Sequence, residues 1–290
     1  MILIADAGST KTHWCLMTAS RHSEDYRTDG LNPFFLNEEQ IGHILNEQLL
    51  PHVGKWFWAG IITHIFFYGA GCTPQKSPLM KAALQKVFPK ASVSVESDML
   101  GAARALFGNQ QGIACILGTG SNSARYDGQT FVQQVPALGY ILGDEGSGAV
   151  LGKRLVSDLL KNQLPAELKE LFLTENHLTQ ADIIERVYRQ PLPNRFLASL
   201  SPFCAKHIDL PAIRSLVENH FRAFIERNLL QYVDPVCPET PVGFVGSIAY
   251  YYRDILSSVL GEYHLTLQSI VQDPMEGLRR YHLNDLTPTC

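Results

Sequence analysis

The sequence predicts an α/β fold made of two similar halves. Three observations predict it: a strand–turn–strand pattern with a Gly, Ser and Thr-rich turn near the N-terminus, a second copy of that pattern 110 residues later (Gly8 to Gly118), and strands alternating with helices between and after them. At 290 residues and 46% hydrophobic, the chain can bury a sizeable core, and its length alone suits either one large domain or two ordinary ones.

The first copy opens with the apolar run Met1-Ile2-Leu3-Ile4-Ala5, turns through Asp6-Ala7-Gly8-Ser9-Thr10, and returns in a strand ending at Trp14-Cys15-Leu16-Met17. Glu38 to Leu50 has helical spacing. Ile65 to Tyr68 reads as a buried strand, Pro78 to Phe88 as a helix, Ser92 to Val95 as a strand, and Asp98 to Phe107 as the helix that follows it. The second copy runs from Ile113 to Leu117, turns through Gly118-Thr119-Gly120-Ser121-Asn122, and leaves through Ser123 to Tyr126, with a further turn at Asp127-Gly128. Helical periodicity then covers Gly146 to Leu160, Gln180 to Tyr188, Arg195 to Lys206 and Leu210 to Tyr232, with Pro191 and Pro193 as breakers. A strand at Val242 to Val245, a helix from Ile248 to Leu260, a strand at Tyr263 to Leu267 and a helix from Met275 to His282 complete the pattern. The expected halves are residues 1–108, with 273–290 returning to pack on them, and residues 109–272. A binding cleft is expected between the two.

Composition narrows the function. A formal charge of -4 and no run of five or more like charges provide no field for a polyanion, so nucleic acid is not an expected partner. No segment approaches the roughly 20 apolar residues of a membrane span, and the apolar start meets Asp6 at once, without the basic and long apolar regions of a secretory signal. Six cysteines at 15, 72, 115, 204, 237 and 290 have no metal-knuckle or redox spacing. They read as reduced thiols of a cytoplasmic protein.

Two turns with unobstructed backbone N–H groups suit a polyphosphate, because glycine permits close approach and small hydroxyl residues add donors. One such turn is more often just a hairpin tip; a duplicated pair favours ATP. Asp6, at the end of the first strand, could hold Mg²⁺ through its water shell, or could simply start the turn.

Asp6-Ala7-Gly8-Ser9-Thr10-Lys11-Thr12 resembles the first phosphate motif of the superfamily that holds actin, hexokinase and the chaperone ATPases, whose domains have a ribonuclease H-like fold. Leu117-Gly118-Thr119-Gly120-Ser121-Asn122 resembles its second, and Val242-Gly243-Phe244-Val245-Gly246-Ser247-Ile248-Ala249 is similar to its adenosine motif. Glu96-Ser97-Asp98-Met99-Leu100-Gly101-Ala102-Ala103 and Asp273-Pro274-Met275-Glu276-Gly277 stand where the two connecting motifs do. Gly143-Asp144-Glu145-Gly146-Ser147 is similar to the signature of N-acetylglucosamine kinases and of the related BadF-type activator ATPases of 2-hydroxyacyl-CoA dehydratases.

The resemblance implies a duplicated actin-like ATPase fold, ATP and Mg²⁺ as cofactors, an amino sugar as the small-molecule substrate, and a homodimer. It places ATP on Gly8, Ser9, Thr10, Lys11, Gly118, Thr119, Gly120, Ser121, Gly246 and Ser247, and Mg²⁺ on Asp6. Asn32 (in Gly30-Leu31-Asn32-Pro33), Gly71, Asn122, Asp144 and Glu145 would meet the sugar, and Asp98 would accept the proton of the attacking hydroxyl. Leu138 stands where the kinases often carry a tryptophan. Plainer roles exist for several of these: Asp98 or Ser97 as a helix N-cap, Asp144 and Glu145 as carboxylates at a helix start, Asn32 as a turn residue and Lys11 as a solvated strand residue. The expected activity is phosphoryl transfer to the 6-hydroxyl of N-acetylglucosamine. The alternatives are an activator ATPase, whose bridging iron–sulfur cluster needs closely placed cysteines that this chain lacks, and a nucleotide-switched binding protein.

Overall fold

The computed structural model describes residues 1–18, 20, 22–58, 60–232 and 239–283. The chain divides into two compact units: Met1–Gln110 with Gly128–Thr130 and the chain from Asp273 onward, and Gln111–Asp127 with Phe131–Gln272.

In the first unit, β1 (Ile2–Ala7) is buried at every position but Asp6, so both its faces lie in the core. It pairs antiparallel with β2 (Lys11–Met17), which pairs antiparallel with β3 (Ser23–Asp29). The strand β3 was not foreseen. Its sequence, Ser-Glu-Asp-Tyr-Arg-Thr-Asp, is polar because it lies at the sheet edge, where one side and most of one face meet water. The expected helix at residue 38 begins with a reciprocal cap between Asn37 and Gln40 and runs on to residue 58 as α1 (Glu38–Ile44), a π-helical segment (Leu45–Leu49) and α2 (Leu50–Trp58). Strand β4 (His64–Gly69), helix α3 (Ser77–Val87), strand β5 (Ser92–Ser97) and helix α4 (Asp98–Phe107) follow as expected, and the sheet order is β3-β2-β1-β4-β5.

The second unit repeats this order. Strands β6 (Gly112–Leu117), β7 (Ser121–Tyr126) and β8 (Phe131–Gln134) form the antiparallel part. Five helices follow: α5 (Gly139–Leu142), α6 (Gly148–Leu160), α7 (Ala166–Glu175), α8 (Gln180–Tyr188) and α9 (Pro193–Ser199). After α10 (Pro202–Lys206) and α11 (Pro211–Arg227) come β9 (Val242–Val245), α12 (Ser247–Tyr251), α13 (Arg253–Glu262) and β10 (Leu267–Val271). The sheet order β10-β9-β6-β7-β8 is that of the first unit, strand for strand.

Three expectations are corrected here. The single helix expected over 195–206 is two, because Pro202 has no N–H to continue α9 and starts α10 instead. The helix expected over 248–260 is broken at Tyr252. The strand expected at 263–267 begins only at Leu267: residues 263–265 fold back on the end of α13, with the amides of Tyr263 and Leu265 both donating to the Leu260 carbonyl and His264 in the left-handed region (φ 55°).

Helix α14 (Met275–His282) belongs to the first unit and packs on α4. Strand periodicity sorts the first sheet's two faces: Leu3, Ala5, Trp14 and Leu16 enter one core with α1 to α3, whereas Ile2, Ile4, Cys15 and Met17 pack with Tyr68, Met275 and Leu278. The α4–α14 approach needs Gly277, since a Cβ there would lie 2.2 Å from the Ala105 carbonyl oxygen. Cys15, Cys72, Cys115 and Cys204 are buried and unpaired; Cys237 and Cys290 lie outside the described residues, as does the end of the segment expected at 273–290. Among the described residues no helix is long and apolar enough to cross a membrane.

Candidate active-site residues

In the first unit the turn of residues 8–10 joins β1 to β2, closed by the Gly8 amide donating to the Lys11 carbonyl (3.0 Å). Asp6, two residues before the turn, is half-buried. Burial, then the charges of Asp273 and Asp98, push its carboxyl up to about 7, and the positive charges of His13 and Lys11 only partly offset them. Ser97, not Asp98, caps α4, accepting from the Leu100 amide at 3.2 Å. Asp98 is the first helical residue, its Oδ1 accepting from the Met99 amide (2.9 Å), and burial raises its proton affinity against that bond. Asp273, just before α14, is driven up by burial but held below the ordinary range by His13 Nδ1 (3.1 Å) and the Met275 amide (2.8 Å).

Asp6, with the charges of Asp98 and Asp273 both acting on it, lies in a region of negative potential. A divalent cation is what such a region accommodates, so Asp6 suits Mg²⁺. Among the described residues no three acidic, His or Cys side chains converge as direct ligands, which is compatible with an ion that keeps most of its water.

Asn32 is 6% exposed and bound on both ends of its amide. Its Nδ2 donates to Ser9 Oγ (2.7 Å) and its Oδ1 accepts from the Phe34 amide (2.9 Å). Gly71, at φ +79°, lies so close that a Cβ would stand 2.4 Å from Asn32 Oδ1. Gly30 approaches the first turn equally closely: a Cβ would fall 2.3 Å from the Ser9 carbonyl carbon. Ser9, Asn32 and Gly71 are therefore brought together, while Thr10 and Lys11 are exposed beside them.

In the second unit the Gly118 and Thr119 carbonyls accept from the first amides of α6, Gly148 (2.8 Å) and Ala149 (3.1 Å), and Ser147 caps that helix through the Val150 amide (3.2 Å). The helix N-terminus thus adjoins the second turn. Asp144 takes the left-handed conformation (φ 57°), and its carboxylate, raised by burial, is hydrogen-bonded by the backbone of Ser121 and Gly139. Its Oδ2 would be 3.0 Å from a Cβ at Gly120. Asn122 Oδ1 accepts from Ser123 N (2.9 Å) and Gln134 Nε2 (3.1 Å). Glu145 forms an ion pair with Arg227 (2.5 Å). Gly246 sits at φ +124° with its would-be Cβ 2.3 Å from the Leu117 carbonyl oxygen, so the start of α12, at Ser247, is held against the start of the second turn.

The structure thus groups Asp6, Asp98, Ser9, Asn32 and Gly71 in one unit and Gly118, Thr119, Gly120, Asp144, Gly246 and Ser247 in the other. Sequence reasoning placed Asp273 in a motif without giving it a role, and missed His13 and Arg227. Asp273 and His13 are 260 residues apart, and only the return of α14 joins them.

No protein-family model matches the chain, and no curated protein matches it. Among solved structures, a proposed N-acetylglucosamine kinase from Porphyromonas gingivalis is 51% identical, covering 99% of this chain and 100% of its own, with a TM-score of 0.94. A proposed N-acetylglucosamine kinase from Chromobacterium violaceum shares the fold at 20% identity (97% of this chain, 98% of its own, TM-score 0.71). So does a ROK-family glucokinase from Streptomyces griseus, solved with glucose and AMPPNP, at 14% identity (100% and 99%, TM-score 0.57). With half its residues shared with the first of these over the whole chain, the protein belongs to the family of sugar kinases built on the actin-like ATPase fold.

Proposed function

We propose that the protein uses ATP to phosphorylate an amino sugar, N-acetylglucosamine, at its 6-hydroxyl. The observation that carries this reading is the arrangement in the first unit: a phosphate-type turn whose Ser9 is bonded to the buried Asn32, with Asp98 near enough to raise the proton affinity of Asp6. A carboxylate of raised proton affinity is the base that a hydroxyl nucleophile needs. The name given to the 51% identical relative supports N-acetylglucosamine over other sugars, and the AMPPNP in the glucokinase of like fold supports ATP. A homodimer and a cytoplasmic location accompany this reading through the family resemblance alone.

Asn32, Gly71, Asn122 and Asp144 bind and orient the sugar. Asp98 accepts the O6 proton as the new O–P bond forms and the bond from the γ-phosphorus to the bridging oxygen breaks, releasing ADP. The small turns at 8–11 and 118–121 bring backbone N–H groups to the phosphates, and Gly246 and Ser247 lie against the nucleoside. Asp6 would hold Mg²⁺, which supplies neutralisation of phosphate charge. Glu145, paired with Arg227, supports the Asp144 loop and reaches the sugar only if that pair opens.

The test is ADP release with N-acetylglucosamine, N-acetylmuramic acid and glucosamine offered separately. N-acetylglucosamine should stimulate turnover and yield its 6-phosphate, and Asp98→Asn should lower kcat by about 10²–10⁴. ATP hydrolysis indifferent to every sugar would overturn the reading.

A further inference from the structure

The helical stretch from α1 to α2 carries a wide turn in its middle: over Leu45–Leu49 the backbone is π-helical, and the Leu50 amide donates to the Leu45 carbonyl, five residues back. The sequence explains why. Ile41, Leu45, Leu49, Val53 and Phe57 are all fully buried at a strict spacing of four. In a regular α-helix that spacing drifts by about 40° per step, which would carry Phe57 off the core face. A wider turn takes up part of the drift, and such turns recur at functional sites.

The wide turn contains Gln48, whose side chain meets Asp29 at the end of β3 in a reciprocal pair. The Asp29 amide donates to Gln48 Oε1 and Gln48 Nε2 donates to Asp29 Oδ2, each at 2.8 Å. Asp29 is the last strand residue before the Asn32 loop. Its carbonyl accepts from Thr12 Oγ1 (3.2 Å), which in turn accepts from the Leu31 amide (3.2 Å), and the Gly30 amide donates to the Thr10 carbonyl (3.1 Å). Gln48 is thus the outer anchor of a continuous set of bonds that ends with Asn32 on Ser9.

We propose that Gln48 is a positioning residue for the sugar: its paired bonds to Asp29 set where the chain leaves β3, and so where Asn32 presents its amide to the sugar hydroxyls. This rests on the reading that Asn32 binds the sugar. It makes the π-helical turn a functional device as well as a packing adjustment.

The test is a charge exchange. Q48E keeps an acceptor for the Asp29 amide but sets a carboxylate against a carboxylate; adding D29N returns an N–H donor opposite it. Q48E should raise the sugar KM about tenfold, the worth of one hydrogen bond to a charged group, with kcat and the ATP KM within about twofold. The double variant should restore the sugar KM. Amide exchange over residues 29–32, measured without any sugar or nucleotide, should quicken in Q48E and recover in the double variant. That second readout separates the two claims: a wild-type protein that phosphorylates no sugar refutes the kinase reading, while unaltered exchange in Q48E refutes the tie. An unchanged sugar KM despite faster exchange, or equal losses of kcat, KM and melting temperature in both variants, overturns the positioning role.

Discussion

Asp6→Asn should make the metal-free protein more stable at pH 8, although it removes the carboxylate proposed to hold Mg²⁺. The Asp6 carboxyl, ordinarily at 3.8, titrates at about 7 in the folded protein because burial and two neighbouring carboxylates disfavour its charge. Between those values the folded chain holds a proton that the unfolded chain has lost. Stability from this group is therefore present at low pH and is lost as pH rises through about 7. A shift of roughly 3 units at 1.36 kcal/mol each gives about 4 kcal/mol of charge penalty above pH 7, which the neutral amide does not incur. Urea unfolding of both proteins in chelator at pH 5 and pH 8 measures it. The variant's advantage should be about 4 kcal/mol at pH 8 and less than half of that at pH 5. Added Mg²⁺ should stabilise the wild-type protein and not the variant, since only the former offers the carboxylate. A variant no more stable at pH 8, or an advantage independent of pH, would refute the account of Asp6 as a crowded anion awaiting a cation.

Two further outcomes follow from the second unit. Gly246→Ala must fit a Cβ 2.3 Å from the Leu117 oxygen at φ +124°, so it should cost about 2–4 kcal/mol by chemical denaturation and raise the ATP KM as the second turn shifts. His220, on α11, is buried, and burial lowers its pKa from 6.5 to about 4 against ring hydrogen bonding to the Gly146 and Ser147 backbone. Its neutral form contributes stability that is present above pH 6.5 and lost as pH falls towards 4, about 3 kcal/mol in full. His220→Gln should flatten that acid limb, seen as urea midpoints at pH 7 and 4.5 that lie closer together than in the wild type.

The two small-residue turns were legible because the pattern is local: Gly, Ser and Thr between two strands mark a tight turn, and a second copy 110 residues later marks a duplication. The edge strand β3 was not, since a strand exposed along one edge needs no apolar alternation. The strand at Leu267 was misplaced because Tyr263 and Leu265 look like strand residues, yet their amides close the end of α13. The roles of Asp144 and Glu145, adjacent and alike in charge, also diverge only in the fold: one carboxylate turns towards Gly120, the other towards Arg227.

By itself the sequence determined the duplicated α/β plan, the placing of Asp98 at a helix start, and the residue types able to handle phosphate and sugar, because spacing and local backbone preference are properties of neighbouring residues. Only the tertiary structure decided what acts on what. The proton affinity of Asp6 depends on Asp98 and Asp273, and the setting of Asn32 depends on Ser9, Gly71 and the Gln48–Asp29 pair. Electrostatic and hydrogen-bond energies fall off with distance through space, and chain folding alone brings residues 6, 98 and 273 within range of one another.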